Sequence, residues 1–257
     1  MDAWAALARA TFSVAPMPAG RGYRHGCDSR ARPGRENGEA APVTRDEPAA
    51  ARYGTSMLRY RPGVALIVVD VQNDFADPAG SLSVRGGAGI VPAINREVTL
   101  AHANGAIVVC TQDWHPHRTP HFARDGGTWP DHCVQDTWGA ALHPALEVPG
   151  GTAIVRKGAS GEDGYSGFTM RDASTGETIP TLLQPLLQEA GVTDVVVVGL
   201  ATDYCVQATA ADALRLGFAT TVLTDAIAAV DLQPGDGDRA LVALQAAGVL
   251  LDANPQS

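Results

Sequence analysis

From Met57 to the carboxyl end, short apolar runs alternate with longer stretches in which apolar residues return every three or four positions. The runs Ala65 to Val69, Ala106 to Thr111, Thr152 to Val155, Asp194 to Val198, Ala219 to Leu223 and Val249 to Leu251 predict strands. Several are aliphatic at successive rather than alternate positions, the pattern of strands buried on both faces of a parallel sheet. Ile90 to Asn104, Thr181 to Ala190, Asp203 to Leu216 and Gly237 to Ala247 predict helices. Gly105, Gly191, Gly217 and Gly248 each stand between a helix and the next strand, where a helix commonly stops. This β-α-β rhythm predicts an α/β domain, three-layered and doubly wound about a mainly parallel six-stranded sheet. Two long irregular stretches, Gln112 to Asp136 and Gly158 to Pro180, interrupt it. Loops of that length in a compact domain usually carry function, so both are expected to roof a site.

Ahead of this pattern, Ala15 to Thr55 is rich in Gly, Pro, Arg, Ala and acidic residues and lacks aliphatic periodicity. Residues 1–56 are therefore expected to form a disordered or loosely attached extension to a domain over 57–257. Within the extension, Ala3 to Val14 fits a short amphipathic helix. That leaves a docking or targeting role open beside a bland extension or a start of translation at Met57.

Composition narrows the function classes. With 45% hydrophobic residues the chain can bury one substantial core without a second domain. A formal charge of −9 and the lack of a cationic cluster after the extension argue against a nucleic-acid partner. No apolar run approaches the roughly 20 residues that span a bilayer, so no membrane partner is expected. Cys27, Cys110, Cys133 and Cys205 show no C-x-x-C spacing, and no basic segment precedes an apolar leader; both point to a reducing cytoplasm. Composition does not decide between a monomer and a homo-oligomer.

The cations change the picture further. Eighteen arginines accompany a single lysine, Lys157, at the end of the run Thr152 to Lys157. A compact, pKa-adjustable ammonium in an arginine-dominated chain marks a position that a planar guanidinium would not serve. Asp70 and Asp113 also end apolar runs, and Cys205 follows one by a short turn. If the runs are parallel strands, these groups gather at one sheet edge, where open α/β folds bind ligands. Thr202 is a candidate N-cap that would put Cys205 in a first helical turn, where the dipole and free N–H groups favour a thiolate and hold an oxyanion. Asp70 could then move the thiol proton while Lys157 favours both anions. The competing reading is an inert buried cysteine beside an ordinary turn aspartate and a solvated lysine. Cys110 reads as core, Cys27 falls in the extension, and Cys133 follows a candidate ligand without a base of its own.

Four of the seven histidines, His115, His117, His121 and His132, fall within eighteen residues that Asp113 precedes by two positions. Asp113-Trp-His115 sets an oxygen and a nitrogen donor two residues apart, and a loop can fold in His121 and His132 to complete the shell of one divalent metal such as zinc, iron or manganese. The alternative is a polar, solvated loop. His117 reads as exposed, and His25, His102 and His143 as structural or surface residues.

Asp70-Val-Gln-Asn-Asp-Phe75, Thr111-Gln-Asp-Trp-His115, His121-Phe122, Trp129-Pro-Asp-His-Cys133, Lys157-Gly158, Tyr165-Ser-Gly-Phe168 and Ala201-Thr-Asp-Tyr-Cys-Val206 together resemble the nicotinamidase/pyrazinamidase branch of the isochorismatase-like cysteine hydrolases. The resemblance runs in order from about Val64 to Leu251 and excludes the extension. It implies that fold, and hydrolysis of nicotinamide to nicotinate and ammonia in NAD salvage, with pyrazinamide as a further substrate. It implies that Cys205 attacks the carboxamide, Asp70 shuttles the proton and Lys157 supports both. It also implies an oxyanion hole from the N–H groups of Ala201 and Cys205 after a cis peptide between Leu200 and Ala201. Asp113, His115 and His132 are the implied metal ligands, and His121 matches a ligand of only some members. Phe75, Trp129, Tyr165 and Leu200 are the implied walls for a flat ring. Relatives acting on another amide or carbamoyl compound, and a thiol or metal sensor without turnover, are the alternatives.

Overall fold

The computed structural model of the chain describes residues 59–253. The expected extension over 1–56, with its amphipathic segment, His25 and Cys27, lies outside the described residues, as does the expected domain boundary at residue 57.

Six strands form one sheet: β1 (Val64–Val69), β2 (Ile107–Asp113), β3 (Ala153–Lys157), β6 (Asp194–Leu200), β7 (Ala219–Ala228) and β8 (Leu250–Asp252). Their order is β3-β2-β1-β6-β7-β8, and every pairing is parallel. The order reverses between β1 and β6, which makes the carboxyl ends of these two central strands the topological switch point, the usual ligand crevice of such sheets. All six residues of β1 are buried, as a run without alternation requires when both faces are covered. Leu66 and Val68 pack on the side of α2 (Val91–Ala103), among Ile94, Val98 and Ala101. Ala65, Ile67 and Val69 pack on the other face, against α3 (Leu183–Glu189), α4 (Gln207–Arg215) and α5 (Asp236–Ala247), which supply Leu187, Ala210 and Leu244. Among the described residues no helix is long and apolar enough to cross a membrane.

The strands and main helices lie where periodicity predicts them, with ends shifted by at most five residues. Three local features differ. A four-residue helix, α1 (Asn73–Ala76), follows β1, too short to show a period. The stretch Gly158 to Pro180, expected to be irregular, contains a small antiparallel pair, β4 (Thr169–Arg171) and β5 (Thr178–Pro180). Their connection is closed by Asp172, whose Oδ1 accepts the N–H groups of Ser174 and Thr175 at 2.8 Å each, an Asx turn that composition alone reads as a loop. Finally, Thr202 is not an N-cap. Ala201 holds the cap position in extended conformation, and Thr202–Val206 forms a wide π-helical turn leading into α4. The Thr202 side chain is buried and makes no capping hydrogen bond.

Gly199 sets how closely the two central strands meet. It adopts φ 115° opposite Val69, and a Cβ there would collide with the Val69 carbonyl oxygen. Only glycine combines that backbone conformation with that approach. Gly199→Ala is therefore expected to destabilise the protein by about 3 kcal/mol from backbone strain and overpacking together. Urea unfolding checks it, and a loss below about 1 kcal/mol would contradict the role given to this glycine.

Candidate active site

Three strand ends and one turn deliver the reactive groups. Asp70 follows β1, Asp113 and Lys157 end β2 and β3 as direct register partners, and Cys205 lies in the π-helical turn after β6. Lys157 Nζ donates to Asp70 Oδ2 at 2.7 Å and to the Tyr165 carbonyl at 3.0 Å, and sits 2.9 Å from Asp113 Oδ1 and 3.6 Å from Cys205 Sγ. The ammonium is 1% exposed. The remaining oxygen of Asp70 accepts the Thr111 hydroxyl at 2.6 Å, while that hydroxyl oxygen faces the Asp70 N–H at 3.2 Å. Gln72 ties the same two strand ends together, donating to the Asp113 carbonyl and accepting the Asp113 N–H at 2.8 Å each.

The charges in this cluster depend on one another. Burial works against an ammonium, but Asp113, Asp70 and Cys205 hold Lys157 well above its ordinary value, so it stays charged. Burial raises Asp70, and Lys157 only partly opposes it. At Asp113 the balance reverses: burial raises it, but Lys157, His115 and His132 bring it down to about 2. Burial pushes the Cys205 thiol well up, Asp70 and Asp113 add to this, and Lys157 opposes. The expected dipole-stabilised resting thiolate is thus not what the site favours; a neutral thiol beside a carboxylate with raised basicity is. Cys110 is buried in β2 with its thiol pushed up to about 12, and Cys133 is buried as well.

On one side of this cluster the nitrogens of His115, His121 and His132 converge, with candidate donor atoms all within 4.8 Å of one another. Both ring nitrogens of His115 are buried and lack a hydrogen-bond partner. Burial also pushes His115 down to about 3, leaving its imidazole neutral. A buried imidazole with no partner on either nitrogen, beside two more, fits a cation such as a divalent metal. The other two rings are oriented from behind: His132 Nδ1 lies 2.7 Å from the Pro130 carbonyl and His121 Nδ1 lies 2.9 Å from Asp163 Oδ1. Asp113 adjoins the trio, with Oδ2 4.0 Å from His115 Nε2, while its other oxygen is committed to Lys157. Lys157 is followed by Gly158, where a Cβ would press on the His115 ring at 2.7 Å. His117 and His102 are exposed and His143 half-buried, all three outside the cluster.

Between thiol and histidines lies a recess lined by Phe75, Trp129, Tyr165 and Leu200, the four residues expected as walls, and by Ala201 and Cys205. The Leu200–Ala201 peptide is cis. Trp129, Tyr165 and Tyr204 meet edge to face, with centroids 5.4 to 6.2 Å apart. Such a slot accepts a flat ring and presents its substituent to Cys205. Sequence reasoning assigned no role to Thr111, Gln72, Asp163 or Tyr204. Gln72, Thr111 and Tyr204 lie inside recognised motifs, whereas nothing in the sequence marks Asp163 beyond its place in a long loop.

The isochorismatase domain model matches residues 64–254. A nicotinamidase of Escherichia coli is 37% identical over 206 residues, 74% of this chain and 94% of that protein. A nicotinamidase/pyrazinamidase of Mycobacterium tuberculosis is 44% identical over 169 residues, 65% of this chain and 87% of that protein. The solved structure of a pyrazinamidase of Pyrococcus horikoshii in complex with zinc is 39% identical, with a TM-score of 0.67 over 75% of this chain and 99% of that one.

Because Lys157 is the charge that opposes the high thiol pKa, Lys157→Met is expected to slow alkylation of Cys205 by iodoacetamide at neutral pH by about tenfold or more, the effect of one pKa unit on the thiolate fraction. An unchanged rate in the folded variant would remove Lys157 from control of the thiol.

Proposed function

The chain belongs to the isochorismatase family, and from that premise we propose that it hydrolyses nicotinamide to nicotinate and ammonia through a thioester on Cys205, as a step in NAD salvage. The observation that carries the reading is Lys157 Nζ within 2.7 Å of Asp70 and 3.6 Å of Cys205 Sγ, at the foot of an aromatic slot bordered by three histidines. A relative in Mycobacterium tuberculosis is a nicotinamidase/pyrazinamidase, and a slot that accepts a pyridine ring also accepts pyrazinamide, so that amide is a second substrate.

In this reading the Cys205 thiol gives its proton to Asp70 as sulfur attacks the carboxamide carbon. Burial suits Asp70 to the task by raising its basicity, and Lys157 stabilises the sulfur while its proton is away. The N–H groups of Ala201 and Cys205 receive the negative charge that develops on the carboxamide oxygen. Collapse of the tetrahedral adduct breaks the C–N bond; the proton on Asp70 passes to the leaving nitrogen, and ammonia departs. Water then attacks the thioester with Asp70 as base, and the proton Asp70 takes passes to the departing sulfur, releasing nicotinate and restoring the thiol. Asp70 therefore serves twice as base and twice as acid, and Lys157 remains charged throughout.

His115, His121 and His132, with Asp113 adjoining, are the residues that would hold a divalent metal, whose chemistry when bound is to attract the ring nitrogen of the substrate and so orient the ring. Zinc is the first candidate, since three imidazoles suit it and a related pyrazinamidase was solved with zinc; iron and manganese suit the same donors with a carboxylate. A free nucleophilic thiol requires a reducing compartment, which fits a cytoplasmic enzyme.

Cys205→Ala is expected to reduce ammonia release from nicotinamide by at least about a thousandfold, as loss of a covalent nucleophile does. Turnover near the wild-type rate would reject Cys205 as the nucleophile. Metal analysis of the purified protein is expected to find about one divalent ion per chain, lost in His115→Ala, and equal content in both proteins would reject the ligand set.

A further inference from the structure

Val230 lines the recess from the connection between β7 and α5, outside any helix or strand. The sheet register brings that connection to the reactive turn: Leu200 pairs with Ala228, so the chain two residues beyond Ala228 runs level with the turn that follows Leu200. One side chain of the reactive turn bonds it directly. Asp203 accepts the N–H of Val230 on Oδ1 and the N–H of Asp231 on Oδ2, each at 2.9 Å. Asp231, at φ 52°, continues the tie by accepting the Gly237 N–H at 2.8 Å, at the start of α5. A Cβ on Gly237 would press on Ala229 at 2.6 Å, so the connection is packed as well as bonded.

Three successive residues of the π-helical turn thus do different things. Asp203 reaches outward to the connection, Tyr204 turns its ring toward Trp129 and Tyr165, and Cys205 presents its thiol. We propose that Asp203 is a specificity-determining positioning residue: by bonding two successive backbone N–H groups, its carboxylate fixes Val230 as a wall of the ring slot in register with the nucleophile. This rests on the reading of the slot as the seat of a pyridine carboxamide. Two adjacent N–H groups need two acceptor oxygens, and only a carboxylate on this short stem offers both. Asparagine keeps one and turns a donor toward the other N–H.

The test compares wild type, Asp203→Asn, Asp203→Ala and Val230→Ala on nicotinamide and on 5-methylnicotinamide, which adds one methyl to the ring. A rigid wall is expected to favour nicotinamide by about tenfold or more in kcat/KM. The Asp203 variants are expected to bring that preference within about threefold and to raise KM for nicotinamide at least about fivefold, with the iodoacetamide alkylation rate of Cys205 within about twofold of wild type. Wild type indifferent to the methyl, or folded Asp203 variants that keep its preference and KM, would overturn the proposal. So would an alkylation rate that falls together with kcat for both amides, since that would place the role of Asp203 on the nucleophile turn itself. Should the Asp203 variants fail to fold, Val230→Ala must relax the preference alone, and retention of it overturns the proposal. Nicotinate binding by calorimetry separates this inference from the reaction. An inactive wild type that binds nicotinate, with affinity lost in Asp203→Asn, would reject the hydrolysis and support the wall; absence of nicotinate binding to wild type would overturn the wall too.

Discussion

A single buried ammonium organises this molecule. Lys157 lies between two carboxylates and a thiol at the ends of three strands, buried away from bulk solvent. An isolated ammonium in such a place would lose its proton. Two carboxylates without it would repel each other, and one would become protonated. Each group is charged or neutral because of the others, and the parallel sheet holds them in contact by placing Asp113 and Lys157 in direct register. The same mutual dependence explains why Asp70 and Asp113, alike in sequence and both beside Lys157, diverge: histidines on its far side pull Asp113 down, while burial prevails at Asp70. One carboxylate remains an anion, suited to a cation site, and the other is a proton carrier.

That division gives the site two halves joined by Asp113. On one side, thiol and base handle a proton and an acyl group. On the other, three imidazoles with unspent nitrogen lone pairs fit a divalent cation that would orient a ring. Gly199 lets β6 lie close against β1, and the turn after β6 is wound wide enough to carry Asp203, Tyr204 and Cys205 to three different neighbours. A thiol that rests neutral is protected from adventitious oxidation and alkylation, and becomes a nucleophile when a bound amide sits within its reach.

Much of this was legible in the sequence, for identifiable reasons. Strands buried on both faces write themselves as unbroken aliphatic runs, so the sheet and the edge where its ends gather could be read directly. A lone lysine among eighteen arginines marked Lys157, and four histidines close together marked the loop. What could not be read depends on backbone that has no period. The Thr111 bond to Asp70, the approach of Asp163 to His121 and the tie from Asp203 to Val230 each join residues 27 to 42 apart through loops, with no local pattern to announce them. Thr202 looked like a cap because threonine before a helix usually is one, yet the wide turn buries it and leaves the cap position to Ala201. The neutral resting state of Cys205 is hidden for a related reason: a helix start favours a thiolate only where solvent or donors reach the sulfur, and burial raises this thiol.

The presence of only one lysine makes the central claim open to direct observation. Protein labelled with 15N at lysine Nζ carries a single side-chain signal, that of Lys157. The account predicts an ammonium resonance that stays unchanged through and beyond the ordinary lysine range near 10.5, for as long as the protein remains folded. A neutral amine at neutral pH, or a titration at or below that value, would contradict it.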